Sequence, residues 1–160
     1  MTLAFATAVF NAPVDVVWKR VRDFGDLSWH PAIASCGLEV GPVGEDGVAE
    51  TRRRIVTRGG EVIVERLEAF DDVRHRYSYA FAQNPFGVHT YRATLEFIPV
   101  TADDTTFAHW RTEFTAAEDR LSELSNLFSR TIFQAGLHSL DTLVSEIDAS
   151  PGLRAARGIG

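Results

Sequence analysis

TRRRIVTRGGEVIVERL, residues 51–67, reads as two strand-forming runs either side of Arg58-Gly59-Gly60. Alternating apolar and polar residues around a glycine pair are the signature of a β-hairpin. A three-residue turn closed by Thr57 and Glu61 sets Ile55 opposite Ile63, Arg53 opposite Glu65 and Thr51 opposite Leu67. Partners across a hairpin share a face. A cation and an anion then meet on a face otherwise marked by Ile55, Ile63 and Leu67, which points inward. The opposite face carries Arg52 across from Arg66, a repulsion tolerable only in water. A two-residue Gly59-Gly60 turn pairs Arg54 with Glu65 instead, and Glu65 is inward in either register.

Outward from this hairpin the same strand signals continue. They cover residues 33–40, 48–57, 61–70, 74–82, 89–100 and 105–115, with no helical period among them. The separators are turn-like: Gly41-Pro42 through Gly47, Gly59-Gly60, Asp71-Asp72, Asn84-Pro85-Phe86-Gly87 and residues 101–104. Such short connections predict an antiparallel sheet. Residues 3–10 add a strand that ends at Asn11-Ala12-Pro13, where a helix starts with the stripe Val14, Val17, Trp18 and Val21. A second short helical turn is expected over residues 26–30, stopped by Pro31, with His30 at the boundary. The period changes at the far end. Leu121, Leu124, Phe128, Ile132, Phe133, Leu137, Leu140, Val144 and Ile147 recur three or four apart and predict one long helix, closed by Ser150-Pro151-Gly152.

These elements predict an α+β fold: a seven-stranded curved antiparallel sheet wrapped around a long C-terminal helix, with two short helices after the first strand. Residues 1–149 form one domain and residues 150–160 a flexible tail. Seven strands carry more inward side chains than one helix covers, so a cavity is expected between them.

The 160 residues are 45% apolar and 24% charged, as in a globular domain large enough to stand without a staple. The single cysteine, Cys36, excludes an internal disulfide and a cysteine-built zinc site. The net charge of −6 argues against nucleic acid as a partner, and the run Arg52-Arg53-Arg54 sits among glutamates. The start MTLAFATAVFNAP has no signal-peptide pattern and no stretch spans a bilayer, so a cytoplasmic location is expected. Gly59-Gly60 lacks the spacing of a phosphate loop, and no nucleophile elbow, zinc-protease helix or paired cysteines occur. No cofactor and no metal are expected.

Four segments carry a likeness to a known family: AFATAVFNAPVDVVWKRVRDFGDLSWHP at residues 4–31, GGEVIVERLEAFDD at 59–72, YRATLEFIPV at 91–100 and FQAGLHSLDTLVSEI at 133–147. In this order they resemble the START and birch-pollen-allergen-like superfamily, specifically its polyketide cyclase/dehydrase and lipid-transport branch. The resemblance implies a helix-grip fold with an apolar ligand pocket between the curved sheet and the last helix. It also favours Arg53 over Arg54 as the partner of Glu65. It does not fix a function, because lipid carriers, hormone receptors and cyclases share that fold.

Glu65, His30 and Arg53 are the candidate catalytic residues. A partly buried carboxylate serves as a general base, and a guanidinium beside it holds it ionised. His30 titrates near neutrality. The plainer readings are an ion pair that fixes the hairpin and a histidine that packs before Pro31. Trp29, Tyr79, Phe86, His89, Tyr91, Trp110, Phe133 and Leu137 are the candidate ligand-binding residues. Phe86 is apolar where turns are usually polar, as a gate over a cavity would be. The tyrosines and Trp110 combine a ring with a polar tip. The expected ligand is a hydrophobic or aromatic small molecule, held by a monomer or homodimer. The expected function is cofactor-independent cyclisation or dehydration, with a noncatalytic carrier or sensor as the alternative.

Overall fold

The structure, a computed structural model, describes residues 1–148. The strands are β1 (Thr2–Phe10), β2 (Ile33–Val43), β3 (Ala49–Thr57), β4 (Val62–Asp71), β5 (Arg76–Gln83), β6 (Thr90–Val100) and β7 (Thr105–Thr115). They form one antiparallel sheet in the order β1-β7-β6-β5-β4-β3-β2. Helix α1 (Val14–Val21) follows β1, and the C-terminal helical stretch follows β7. Irregular register within β2–β3 and β4–β5 bends the sheet, as bulges do by adding local twist. The proposed tail, residues 150–160, lies outside the described residues.

The hairpin takes the three-residue turn. Thr57 and Glu61 close it through a backbone hydrogen bond of 2.9 Å, and Gly60 sits at φ +85°, a conformation that favours glycine. Arg53 pairs with Glu65 and Ile55 with Ile63, while Arg52 and Arg66 meet on the outer face.

Only one helix follows β1. Residues 26–30 form turns instead of the expected second helix. The Asp26 carboxylate accepts the Ser28 amide at 2.8 Å, and the Leu27 carbonyl accepts the His30 amide at 2.9 Å. A short acidic side chain that captures a nearby amide competes with helical pairing, and Pro31 forbids continuation.

The C-terminal stretch also departs from a plain α-helix. It runs as a 3₁₀ turn (Glu118–Arg120), α2 (Leu121–Asn126), a π-helical segment (Leu127–Gln134) and α3 (Ala135–Asp148). Leu124, Phe128, Phe133, Leu137, Leu140 and Val144 are the fully buried positions, so their spacing is 4, 5, 4, 3 and 4. The step of five from Phe128 to Phe133 is the wider turn of a π-helix. Strand β1 turns Ala4, Ala6 and Ala8 toward this segment, and small residues allow close approach.

Candidate functional site

The concave face of the sheet holds a cavity of about 280 Å³ beneath the π-helical segment. Its walls come from the β3–β4 hairpin, the loop before β2, the inner faces of β5, β6 and β7, and Leu127, Thr131 and Ile132 of the helix. Leu27, Ile55, Ile63, Phe81 and Phe86 make much of the lining apolar.

At one wall lies the buried ion pair. Arg53 is 1% exposed and Glu65 6%. Arg53 Nε donates to Glu65 Oε2 at 2.6 Å, and Nη1 donates to the Phe24 carbonyl at 3.1 Å. The guanidinium carbon also lies 4.1 Å from the centre of the Phe24 ring and 4.8 Å from that of Tyr79. These contacts hold the cation in place, as stacked and paired arginines are held. No described residue donates to Glu65 Oε1. Burial raises the Glu65 carboxyl above the usual carboxylate range, and the guanidinium draws it back part of the way.

Above the pair sits a ring cluster. Trp110 Nε1 donates to the Tyr79 hydroxyl at 2.9 Å, and Tyr91 stacks on Phe81 with ring centres 3.7 Å apart. Burial pushes both tyrosine hydroxyls up, well above the ordinary phenol value for Tyr79, so both stay protonated near neutral pH.

His30, 3% exposed, joins the loop to the helix. Its Nε2 lies 2.7 Å from the Ile132 carbonyl, and its Nδ1 accepts the Ala32 amide at 3.1 Å. A carbonyl can only accept and an amide can only donate, so the ring is neutral with its proton on Nε2. Burial lowers its pKa, the carbonyl opposes that shift, and Arg53 adds to it. Gly136 makes this packing possible. A Cβ there would sit 2.6 Å from His30 Cδ2 and 2.9 Å from Trp110 Cζ3.

The cavity thus brings together seven of the residues expected from sequence: His30, Arg53, Glu65, Tyr79, Phe86, Tyr91 and Trp110. Trp29, Phe133 and Leu137 do not line it. Trp29 packs on His30 and Trp110, and Phe133 stacks on the far side of Trp110 at 4.7 Å, so both belong to the layer behind the wall. Leu137 is buried in the core. Trp29 Nε1 is the buried side-chain polar atom without a hydrogen-bond partner among the described residues. His89 is exposed and outside the cavity.

The Phe86 loop is firmly tied. Asn84 Oδ1 accepts the Phe86 and Val88 amides at 3.0 and 3.3 Å, and Arg120 Nη1 donates to the Phe86 carbonyl at 2.6 Å. Leu127, Thr131 and Ile132 were missed because the helix was read with a uniform α period. The five-residue step after Phe128 was the available signal. Among the described residues no cluster of histidine, cysteine and carboxylates is arranged to hold a metal ion. No helix among them is long and apolar enough to cross a membrane.

No curated protein is significantly similar in sequence to the chain. Among solved structures, the protein XoxI from Bacillus cereus is 27% identical, with a TM-score of 0.78, covering 94% of this chain and 100% of its own. A START superfamily protein from Mycobacterium smegmatis, 15% identical, has a TM-score of 0.68 over 91% of this chain and 98% of its own. The ZhuI aromatase/cyclase from a Streptomyces species, 16% identical, has a TM-score of 0.71 over 94% and 97%. At those two lower identities the likeness is one of fold. The family profile described as polyketide cyclase / dehydrase and lipid transport matches residues 1–145. With nearly its whole length matched, and with a curved sheet closed over a cavity by its C-terminal helix, the chain belongs to the polyketide cyclase / dehydrase and lipid transport family.

Proposed function

We propose that this protein binds a hydrophobic small molecule in the cavity under the π-helical segment and acts on it by proton transfer, with Glu65 as the base and no cofactor. The observation that carries the reading is the state of Glu65. One carboxylate oxygen is fixed by Arg53 at 2.6 Å, and the other, without a protein donor, belongs to a side chain that lines an apolar cavity. A carboxylate in such surroundings has a raised proton affinity, which suits a general base near neutral pH.

In the step this supports, Glu65 Oε1 takes a proton from carbon next to a ligand carbonyl. The C–H electron pair becomes the new C=C bond and the carbonyl π pair moves to oxygen. The Tyr79 hydroxyl, which accepts from Trp110, and the Tyr91 hydroxyl bonded to it keep one proton between them to give, and that proton steadies the enolate oxygen. Attack of that enolate carbon on a second carbonyl of the same molecule forms a C–C bond, and the protonated Glu65 returns its proton to the new alkoxide. Glu65 then takes the remaining proton of the same α-carbon and passes it to that hydroxyl; the C–H pair forms a C=C bond, the C–O bond breaks and water leaves, which completes a dehydration. Arg53 is a positioning residue in this scheme. So is His30, whose two ring nitrogens are both engaged by backbone groups.

That same engagement of His30 favours a second reading, a noncatalytic carrier, because it removes one proton-transfer group from the wall. Proton exchange on a bicyclic ketone separates the two. With 2-tetralone in D₂O, the wild-type protein accelerates exchange of the α-protons over buffer, and Glu65→Gln returns it to the buffer rate. Because that variant leaves Arg53 without its anion, the wild-type pH profile is the second check. The rate rises with pH as Glu65 loses its proton above the ordinary carboxylate range. Exchange at the buffer rate at every pH overturns catalysis and leaves the carrier.

A further inference from the structure

The polar groups of the cavity are few and unequal, and they specify more than an apolar ligand. Its volume of about 280 Å³ lies at the lower end of ligand pockets, which start near ~300 Å³. A fused pair of rings fits a space of that size.

The charge on the wall is already matched. The Arg53 cation has Glu65 at 2.6 Å, the Phe24 carbonyl at 3.1 Å, and two aromatic rings against it. What remains open toward a ligand is an acceptor, Glu65 Oε1, on a side chain 94% buried by its 6% exposure. Close by, Trp110 donates to the Tyr79 hydroxyl, which is hydrogen-bonded to that of Tyr91, and the two hydroxyls between them retain one proton to give. An anion carried in as far as Glu65 would meet that carboxylate, and the one cation beside it, Arg53, is already paired; burial of an unpaired charge is costly. A ligand hydroxyl meets both needs, giving a proton to Glu65 Oε1 and taking one from the Tyr79–Tyr91 pair. The exposed Arg58, whose Nε donates to the Pro31 carbonyl at 2.7 Å, lines the cavity together with Glu61 of opposite charge, so the two add no net charge there.

We infer that the cavity selects a compact, uncharged molecule of one or two rings bearing a hydroxyl, and that Glu65 Oε1 is the group that rejects carboxylates. This rests on the reading of the cavity as a ligand site and adds the chemical class it takes.

Calorimetric titration with three probes at pH 7.5 tests it: 2-naphthol, 2-naphthoate and dodecanoate. The expected result is binding of 2-naphthol, at least tenfold weaker binding of 2-naphthoate, and no binding of dodecanoate. In Glu65→Gln the ratio between the two naphthalenes falls toward one. Thr131→Trp, an exposed substitution at the mouth that leaves the ion pair intact, abolishes 2-naphthol binding and fixes its location even where Glu65→Gln does not fold. Equal or tighter binding of 2-naphthoate or dodecanoate overturns the inference while the ligand site stands. So does 2-naphthol binding that Thr131→Trp leaves unchanged. Binding of none of the three removes the ligand-site reading itself, and the inference falls with it.

Discussion

The concave face of the sheet has two differently built ends. Under α1 and α3, Phe10, Val17, Val21, Leu95, Phe97, Ala108, Leu140 and Val144 are all 0% exposed, and the space is filled. Under the π-helical segment, Leu27, Ile55, Ile63 and Glu65 are still 2–6% exposed, and the cavity lies among them. Both ends have the same period-2 pattern of inward side chains. The difference lies in the cover. At the filled end α1 and α3 cover the sheet, whereas at the other end the π-helical segment packs close against β1 and, with the irregular loop of residues 22–32, leaves the cavity over β3, β4 and β5. The proposed ligand site thereby lies where packing is given up, and that end is fastened by polar contacts instead: Arg53 to Glu65, His30 to Ile132, and Arg120 to Phe86.

The largest effect should come from breaking the fastening at the cavity end. Arg53→Ala leaves Glu65 buried without its cation, and removal of one partner from a buried pair costs about 3–5 kcal/mol. The double variant Arg53→Met with Glu65→Leu removes both charges and should recover most of that loss, since replacing a whole buried pair by apolar groups is often neutral. Urea unfolding of the three proteins measures both. If the double variant is as unstable as the single one, the pair is needed for its geometry and not merely for mutual compensation.

Next in size is a direct contrast in packing. Leu95→Ala at the filled end deletes atoms with neighbours on every side and should cost about 3–4 kcal/mol. Ile63→Ala at the cavity wall deletes atoms that already face empty space, so fewer contacts are lost and the cost should be about 2 kcal/mol. Equal losses in chemical denaturation would mean that the wall is as tightly supported as the core.

The inward face with Glu65 on it and the seven strands are legible because they follow from alternation and turn chemistry, which act over a few residues. The register is not: the residues leave Arg53 and Arg54 both open as partner of Glu65, and the Thr57–Glu61 closure with Gly60 at positive φ decides for Arg53. Residues 26–30 were misread because Asp26 captures the Ser28 amide, a local competition that a helical pattern does not reveal. The π segment was hidden for the opposite reason. Ile132 keeps the α spacing from Phe128 and masks the step to Phe133, although it is Phe133 that is fully buried. Candidate site residues sorted by depth. Alternation puts Tyr79, Tyr91 and Trp110 on the inner face, but only the path of the helix decides whether a ring faces the cavity or, like Trp29 and Phe133, stands behind one that does.

The smallest effect is a matter of pH, and it isolates the His30 fastening. Neutral His30 gives its Nε2 proton to the Ile132 carbonyl and accepts the Ala32 amide at Nδ1. A second proton on Nδ1 would destroy that acceptor, and burial together with Arg53 disfavours the charge, so the folded-state pKa lies below its ordinary value. Below about pH 6.5 the unfolded chain therefore binds a proton here that the folded chain does not, and stability falls as the pH falls, by at most ~1.4 kcal/mol per pH unit. Glu65 acts in the opposite sense. Its raised pKa means that the folded state binds a proton ahead of the unfolded one, so acidification above the ordinary carboxylate value stabilises. Comparing wild type with His30→Gln cancels Glu65 and His109, which both proteins share. The variant is the less stable of the two at pH 7.5, and the gap should narrow as urea unfolding is repeated at pH 6.5 and 5.5. A gap that stays constant would mean that the folded protein accepts the second proton without loss, in which case the amide of Ala32 is not what holds the loop beneath the helix.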